Sequence, residues 1–212
     1  KAHKADVGVA VHIEKNIPVA AGLGGGSTDA AALLAGLNQL FQHPFSLDEL
    51  KEMALTLGAD VPFCLVGGTQ LATGIGEKLL SLENNLQGHL VLVKPCQKGS
   101  TGEMYRKYDE IKGLSTAENC DIINGLKDGN IQIVGENLYN DFLSVCDGQA
   151  VFTALNQLKD CGATGVSLSG SGPTVFDLFE DLSLAEKAMI TLKEIYPQCY
   201  LAQFVSCGWQ VL

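Results

Sequence analysis

The apolar positions at the start of the chain follow two different periods. A two-residue alternation predicts a strand, with apolar members at Val7, Val9, Val11 and Ile13. After a glycine-rich interval, apolar side chains recur at helical spacing, at Ala30, Leu33, Leu34, Leu37 and Phe41. We expect this helix to stop before Pro44, because proline disfavours helical geometry in the residue before it. The predicted order is strand, glycine loop, helix.

A second helix is predicted by a capping box, in which Ser46 is followed three residues later by Glu49. Its apolar stripe ends near Gly58, a residue type that commonly follows a helix. Glycines then punctuate residues 67–77, a pattern typical of a hairpin or of paired strands. The polar segment at 83–88 is the best candidate for a boundary. We therefore expect one domain at residues 1–86 and a second at residues 87–212.

Beyond that segment, patterns typical of strands alternate with patterns typical of helices. They predict strands at 89–93, 165–169, 174–179 and 200–205, and helices after Ser100 or Thr101, at 149–161 and at 184–195. Strands that alternate with helices in this way are typical of α+β or α/β folds.

Composition narrows the classes of partner. The chain has 14 basic and 24 acidic residues and a net charge of −10, which argues against nucleic acid and against an anionic membrane as partners.

Seven scattered cysteines and four dispersed histidines show no metal-ligand spacing, so we expect reduced thiols and no zinc site. With no long apolar run and no signal-peptide pattern, we expect a cytoplasmic protein.

The glycine-rich interval is the clearest chemical feature of the chain. It consists of Pro18, Val19, Ala20, Ala21, Gly22, Leu23, Gly24, Gly25, Gly26, Ser27 and Thr28. Glycines let an anion approach the main chain, and the first N–H groups of a helix have no intrahelical partner. The segment therefore predicts an anion site. Because the helix dipole contributes only about 0.3 to 1 kcal/mol, several N–H donors and a metal ion would have to share the binding of a triphosphate.

The loop fits neither of two common nucleotide-binding patterns. A Walker A motif needs a lysine before its Ser or Thr, and here Gly26 is followed directly by Ser27. A dinucleotide fingerprint needs a third glycine where Ser27 stands. The cation that a triphosphate needs must therefore come from elsewhere. A glycine linker or tight turn without a ligand is the alternative, although Ser27, Thr28 and Asp29 are typical of a helix cap.

Three separated motifs resemble those of the GHMP kinases. Residues 18–28 resemble the phosphate loop of that family, and Ser169, Gly170, Ser171, Gly172, Pro173 and Thr174 resemble its C-terminal glycine loop. Residues 57–63, 74–77 and 93–95, with Ser100, Thr101, Asn140 and Asp141, are similar to one branch of it. The acceptor of that branch is a cytidine diphosphate-linked methylerythritol of the non-mevalonate isoprenoid pathway.

The resemblance implies an α+β fold with the two-domain architecture of this family. Its N-terminal domain is like ribosomal protein S5 domain 2 and is incomplete here, and its C-terminal domain is a ferredoxin-like α/β sandwich. The implied activity is the ATP-dependent phosphorylation of a hydroxyl of the small-molecule acceptor, with Mg²⁺. Two alternatives stay open, namely another small-molecule GHMP kinase and a nucleotide-binding relative without turnover.

The resemblance also assigns roles to residues, each beside a purely structural alternative. Asp60 takes the position of the catalytic aspartate, where a carboxylate could act as general base, although it is also well placed to cap a short helix. Ser27 or Thr28 could contact phosphate or Mg²⁺, or simply cap the helix that follows. Residues 169–172 alone are typical of a hairpin turn, whereas the resemblance implies a loop beside the phosphate loop.

The chain departs from the family pattern at its front. Family members carry an N-terminal segment that supplies a lysine beside the catalytic aspartate and most of the cytidine pocket. No residue of this sequence corresponds to that segment, and Lys1, Lys4 and Lys15 do not match the lysine. We therefore expect these 212 residues alone to be inactive and to leave sheet edges unpaired.

Overall fold

The computed structural model describes residues 8–111 and 120–210, which form two compact units. Within the described residues, the first unit comprises 8–19, 24–81 and 205–210, and the second comprises 20–23, 82–111 and 120–204. The glycine loop is therefore divided, because its residues 20–23 group with the second unit. The domain limits expected from the sequence, 1–86 and 87–212, remain a prediction.

Three helices and a hairpin make up most of the first unit. The helices are α1 (Gly25–Leu40), α2 (Leu47–Leu57) and α3 (Val61–Val66), and the strands are β1 (Gln70–Thr73) and β2 (Lys78–Ser81). The helices pack around a core of Ala31, Ala35, Leu50, Ala54, Val61, Cys64 and Leu65. Small side chains at several of these positions let the helix backbones approach one another closely.

Local signals predicted α2 and the hairpin correctly. Ser46 accepts a hydrogen bond from the Glu49 N–H, and the Glu49 carboxylate accepts one from the Ser46 N–H at 2.8 Å, so the capping box is confirmed. These hydrogen bonds from Ser46 lower the pKa of Glu49. Strands β1 and β2 pair antiparallel across a turn that contains Gly74 and Gly76, both at positive φ.

The strand predicted before the glycine loop is wrong over its described residues. Residues 8–13 form no strand, and the side chains of Val9, Val11 and Ile13 are about half exposed. Val7 lies outside the described residues. Alternating apolar positions make a strand only where another strand supplies hydrogen-bond partners, and no described strand pairs with this segment.

The second unit is built on an antiparallel sheet of four strands. In chain order its elements are β3 (His89–Val93), α4 (Thr101–Glu110), α5 (Cys120–Asp128), α6 (Ile131–Glu136), a 3-10 helix (Asp141–Ser144), α7 (Gln149–Asp160), β4 (Gly165–Leu168), β5 (Val175–Phe179), α8 (Leu182–Lys193) and β6 (Cys199–Gln203). The strand order β4-β5-β3-β6 with crossover helices is that of a ferredoxin-like sandwich, as expected. Helices α5 and α6 were not predicted from the sequence.

Apolar side chains cover both faces of this sheet. On one face Val91, Val93, Val175 and Phe179 pack against α7 and α8. On the other face Leu178 packs with Leu86, Ile131 and Val134, beside α6. Asp177 belongs to the first face, since it alternates along β5 with Val175 and Phe179, and it is fully buried.

Candidate functional site

The helix after the glycine loop begins earlier than the sequence suggested. Gly24 is the N-cap residue of α1, in a left-handed conformation with φ 64° and ψ 11°, and no side chain caps the helix. Ser27, Thr28 and Asp29 thus lie inside the first turns, so the expectation that they form the cap is wrong. A glycine can adopt the left-handed conformation without steric cost, which lets the helix start at Gly25.

The early start exposes a row of main-chain donors. The first intrahelical hydrogen bond runs from the Thr28 N–H to the Gly24 carbonyl at 2.9 Å, so the N–H groups of residues 24–27 have no intrahelical partner. A Cβ added at Gly24 or at Gly26 would meet no described atom within 4 Å. The backbone here is open to an anion, which is the geometry of a phosphate site.

A lysine and an aspartate flank this helix start. The Lys15 ammonium lies 2.5 Å from Oδ2 of Asp29, and both side chains are about one third accessible. Lys15 Nζ is also 3.2 Å from the position that a Cβ on Gly25 would occupy, and the side chain of Ile17 lies against the same glycine. The ammonium therefore sits beside the first residue of α1.

The same unit brings Asp60 and Thr28 to one buried thiol. The Thr28 hydroxyl donates to the Gly24 carbonyl at 3.2 Å and lies 3.6 Å from the Cys64 sulfur. Cys64 is one turn after Asp60 in α3, and the Cys64 N–H donates to the Asp60 carbonyl at 3.1 Å. Burial raises the pKa of the Cys64 thiol; the hydrogen bond from Thr28 opposes this, and the Asp60 carboxylate adds a smaller increase.

The carboxylate of Asp60 is exposed and is not used to cap a helix. Asp60 is the N-cap residue of α3, but its side chain makes no capping hydrogen bond and is exposed to solvent. The structural alternative considered from the sequence, a side-chain cap, is therefore wrong. The role of Asp60 as a catalytic base stays a prediction.

In the second unit, residues 20–23 of the glycine loop pack against the turn between β4 and β5. The Ser169 hydroxyl donates to the Gly22 carbonyl at 2.9 Å, and the Thr174 N–H donates to the Ala21 carbonyl at 3.2 Å. Gly22 has φ 76°, and a Cβ on it would collide with the Ser169 carbonyl oxygen. The turn at 169–172 is thus both a hairpin turn and a partner of the first glycine loop.

The side chain of Asn140 is hydrogen-bonded to the backbone of this turn. Its side-chain N–H groups donate to the carbonyls of Leu168 at 2.7 Å and Gly170 at 2.9 Å, and its Oδ1 accepts from the Phe142 N–H at 2.9 Å. Sequence reasoning matched Asn140 to a motif but gave it no task. An asparagine at a helix cap is a recognisable local signal, whereas its contacts with residues 28 and 30 positions later are not.

Aromatic side chains gather next to Asn140. The rings of Tyr105 and Phe142 meet edge to face with centroids 4.9 Å apart. Hydrogen bonding to the Asp141 carboxylate raises the pKa of both Tyr108 and Tyr139. The Oδ1 atom of Asp141 is buried and has no hydrogen-bond partner among the residues that the structure describes. Sequence reasoning assigned no function to these aromatic residues.

The described residues contain no cluster of three His, Cys, Asp or Glu side chains that could hold a metal ion. Among those same residues, no helix has the length and apolar character needed to cross a membrane.

The fold and the two glycine loops define a class of protein. Residues 1–68 match the GHMP kinases N terminal domain, and residues 122–198 match the GHMP kinases C terminal. The chain belongs to the GHMP kinase family.

Curated relatives narrow the comparison to one branch. A protein of Clostridium botulinum (strain Eklund 17B / Type B), named 4-diphosphocytidyl-2-C-methyl-D-erythritol kinase, is 40% identical over 200 residues, which cover 93% of this chain and 71% of the relative. A protein of the same name from Thermoanaerobacter sp. (strain X514) is also 40% identical, and the matched residues cover 99% of this chain and 73% of that relative.

Solved structures of GHMP kinases are also similar to this chain. The crystal structure of a 4-(cytidine 5′-diphospho)-2C-methyl-D-erythritol kinase superposes with a TM-score of 0.77 at 30% identity, over 90% of this chain and 68% of that one. A homoserine kinase from Cytophaga hutchinsonii superposes with a TM-score of 0.76 at 20% identity, over 92% of this chain and 69% of that one, which shows a shared fold alone.

Proposed function

We propose that this chain is part of an ATP-dependent kinase that phosphorylates a hydroxyl of 4-diphosphocytidyl-2-C-methyl-D-erythritol, in the non-mevalonate synthesis of isoprenoid precursors. The observation that carries the proposal is the 40% identity to curated kinases of this name over nearly the whole chain. The open start of α1 supports it, because a kinase must hold a triphosphate and this backbone offers several unpaired N–H donors.

Within this function, residues 18–28 bind the triphosphate of ATP. The N–H groups of residues 24–27 donate to phosphate oxygens, and the helix dipole of α1 adds to the attraction. Asp60 accepts the proton of the acceptor hydroxyl or positions that hydroxyl. General-base catalysis of this kind contributes about 10² to 10⁴ in rate. The turn at Ser169, Gly170, Ser171 and Gly172 sets the conformation of residues 20–23.

Mg²⁺ fits this residue set as a companion of the nucleotide. Mg²⁺ usually keeps several waters and takes one or two protein ligands together with substrate phosphates, so a dedicated cluster is not required. The Thr28 hydroxyl already donates to the Gly24 carbonyl, whereas the Ser27 hydroxyl has no hydrogen-bond partner among the described residues. Ser27 is thus the better candidate ligand. The ion would supply charge neutralisation at the phosphates.

The remaining assignments follow from the same function. We place the kinase in the cytoplasm, with small-molecule partners rather than nucleic acid or membrane, in keeping with the acidic net charge of −10. Residues 1–86 would belong to the ATP-binding domain and residues 87–212 to the C-terminal domain.

A coupled assay of ADP release tests the proposal. The complete gene product is given ATP, Mg²⁺ and one of three acceptors, namely the cytidine diphosphate compound, mevalonate or homoserine. We expect turnover with the first acceptor only. Turnover with another acceptor would identify a different GHMP kinase, and background rates with all three would identify a relative without kinase activity.

A further inference from the structure

Two cysteines that are far apart in sequence line one pocket of the second unit. Cys96 follows β3 and Cys146 precedes α7, and both border a pocket of about 280 Å³, which we call the thiol pocket. Both side chains are partly buried against the same hydrophobic core. Neither residue belongs to a helix or a strand. The fold thus brings two thiols to one opening, and the proposed function gives them no task.

An ion pair fixes one wall of the thiol pocket. Nζ of Lys107, on α4, lies 2.7 Å from Oδ2 of Asp147, the residue after Cys146. The hydrogen bond to Asp147 is the main reason why the pKa of Lys107 is raised, and Cys146 adds a small increase. The Lys107 ammonium therefore lies near the Cys146 thiol.

The surroundings of Cys96 suggest an order of reaction for the two thiols. Burial raises the pKa of Cys96, Cys146 raises it further, and Lys94 opposes the increase. Because the thiolate is the form that attacks an oxidant, Cys96 is a poor first nucleophile at neutral pH. We therefore expect Cys146 to react first and Cys96 to react with the product.

A second pair of cysteines in the same unit offers a comparison. Burial raises the pKa of Cys199 to about 11, and Cys161 contributes to the increase. Cys199 is only 1% exposed, and its thiol donates to the Met189 carbonyl at 3.7 Å. Neither cysteine of this pair lines the thiol pocket. The fold therefore shields the second pair from an oxidant that can enter the thiol pocket.

We propose that Cys96 and Cys146 form a reversible modification site, at which a peroxide converts the two thiols into a disulfide. The Cys146 sulfur attacks one oxygen of hydrogen peroxide, the O–O bond breaks, and the leaving hydroxide takes the thiol proton and departs as water. The Cys96 sulfur then attacks the sulfenic sulfur of Cys146, and the sulfenic hydroxyl leaves with the Cys96 proton as a second water. Two thiols are oxidised and one peroxide is reduced. A dithiol reverses the reaction by exchange.

The disulfide would join the segment before α4 to the segment before α7. Its formation requires the two Cα atoms to lie about 4.4 to 6.8 Å apart. Because both cysteines are outside helices and strands, their segments can close to this distance without breaking a helix or a strand ladder. Ser171, Gly172 and Pro173 also line the thiol pocket, so the disulfide would narrow the pocket beside the turn between β4 and β5.

Peptide mapping of the complete gene product tests the proposal. The protein is treated with a small excess of hydrogen peroxide, its remaining thiols are blocked with N-ethylmaleimide, and it is digested without reductant. We expect two peptides linked through Cys96 and Cys146, and we expect dithiothreitol to separate them. This link should form at least about tenfold faster than any link between Cys161 and Cys199, because access of the oxidant differs.

Single variants test the order of reaction. In Cys96→Ala, peroxide should leave Cys146 as a sulfenic acid that dimedone traps. In Cys146→Ala, Cys96 should stay a thiol at the same dose of peroxide. Cys161→Ala is the matched control and should form the link between Cys96 and Cys146 at the wild-type rate. Thermal midpoints measured before treatment show that each variant is folded.

The wild-type protein alone can overturn the proposal, so the test does not depend on the folding of a variant. No linked peptide after treatment, or a link from Cys146 to a different cysteine, would contradict it. A link between Cys161 and Cys199 that forms equally fast would also contradict it, because oxidation would then not follow from the thiol pocket. Equal sulfenic acid on Cys96 in Cys146→Ala would refute the order of reaction. None of these results depends on the kinase assay.

Discussion

Ser27, Thr28 and Asp60, which lie at the starts of α1 and α3, could each either cap a helix or take part in binding or catalysis. The structure shows that none of them caps its helix through a side chain. Sequence reasoning could not decide whether Asp60 caps a helix or faces a substrate, because both roles favour an aspartate before a helix. The structure leaves the Asp60 carboxylate exposed and without a capping bond. It also places Ser27 and Thr28 inside α1 instead of at its cap. The direction of the side chain decided the first case, and the left-handed backbone of Gly24, which lets α1 start at Gly25, decided the second.

Replacement of Asp60 should therefore affect turnover and not stability. We expect Asp60→Ala to lower kcat about 10² to 10⁴-fold and to leave ATP affinity and the thermal midpoint unchanged. Asp181→Ala is the matched control, because the Asp181 carboxylate does cap α8 by accepting from the Leu184 N–H at 2.9 Å. That control should lose about 0.5 to 2 kcal/mol of stability and keep full turnover. Normal turnover in Asp60→Ala would remove Asp60 from the reaction.

Gly26 provides a second test at the residue scale. A Cβ there meets no described atom within 4 Å, and the residue is helical, so Gly26→Ala should stabilise the protein by up to about 1 kcal/mol. The same methyl group would stand where phosphate approaches the backbone, so ATP affinity should fall. Denaturant unfolding and calorimetry measure the two effects. A stabilised variant with unchanged ATP affinity would mean that phosphate does not approach at Gly26.

Helices and strands were predicted well where a local signal set their ends. The capping box of α2, the glycine turn of the β1–β2 hairpin, and β4 and β5 all follow from short-range chemistry. The strand expected at 7–13 was wrong over its described part, because alternation by itself supplies no hydrogen-bond partner. The hydrogen bonds of Asn140 were not predictable, since their partners are distant in sequence.

The turn after β4 should depend on Asn140. Asn140→Ala removes both donors to the carbonyls of Leu168 and Gly170, which should cost about 1 to 3 kcal/mol of stability. Because Ser169 in this turn holds Gly22, hydrogen exchange should also become faster at residues 20–23. Asn137→Ala is the control, because the Asn137 side chain donates to the Ile133 carbonyl of α6 and, among the described residues, does not contact this turn. Unchanged exchange at 20–23 would show that the turn does not order that segment.

At the scale of the whole molecule, an acidic group is buried inside the sheet sandwich of the second unit. Asp177 is fully buried, and neither carboxylate oxygen has a hydrogen-bond partner among the described residues. Burial raises the pKa of Asp177 to about 8. Cys161 is close enough that the Asp177 carboxylate raises the pKa of that thiol, in addition to the effect of burial. The folded protein thus holds Asp177 protonated at neutral pH.

This burial makes stability depend on pH. Between the ordinary pKa of 3.8 and the folded value of about 8, the folded state binds one more proton than the unfolded state at Asp177. The contribution of Asp177 to the free energy of unfolding is then full below about pH 4 and falls by about 1.4 kcal/mol per pH unit up to pH 8. Asp177→Val should remove this dependence and be more stable than the wild type at pH 8. Chemical denaturation from pH 4 to 9 measures both, and parallel pH profiles would refute the prediction.

The sequence by itself determined the fold family, the position of both glycine loops and most helix and strand ends, because these depend on neighbouring residues and on short motifs. Only the tertiary structure decided that α1 starts at Gly25, that the Asp60 carboxylate is uncapped, that Ser169 holds Gly22 and that the Lys15 ammonium lies at the phosphate loop. The start of α1 depends on the left-handed backbone of Gly24, and each of the other three depends on a side-chain direction or on a contact between distant residues. Both arise from packing and hydrogen bonding in the folded chain, so no local pattern predicts them.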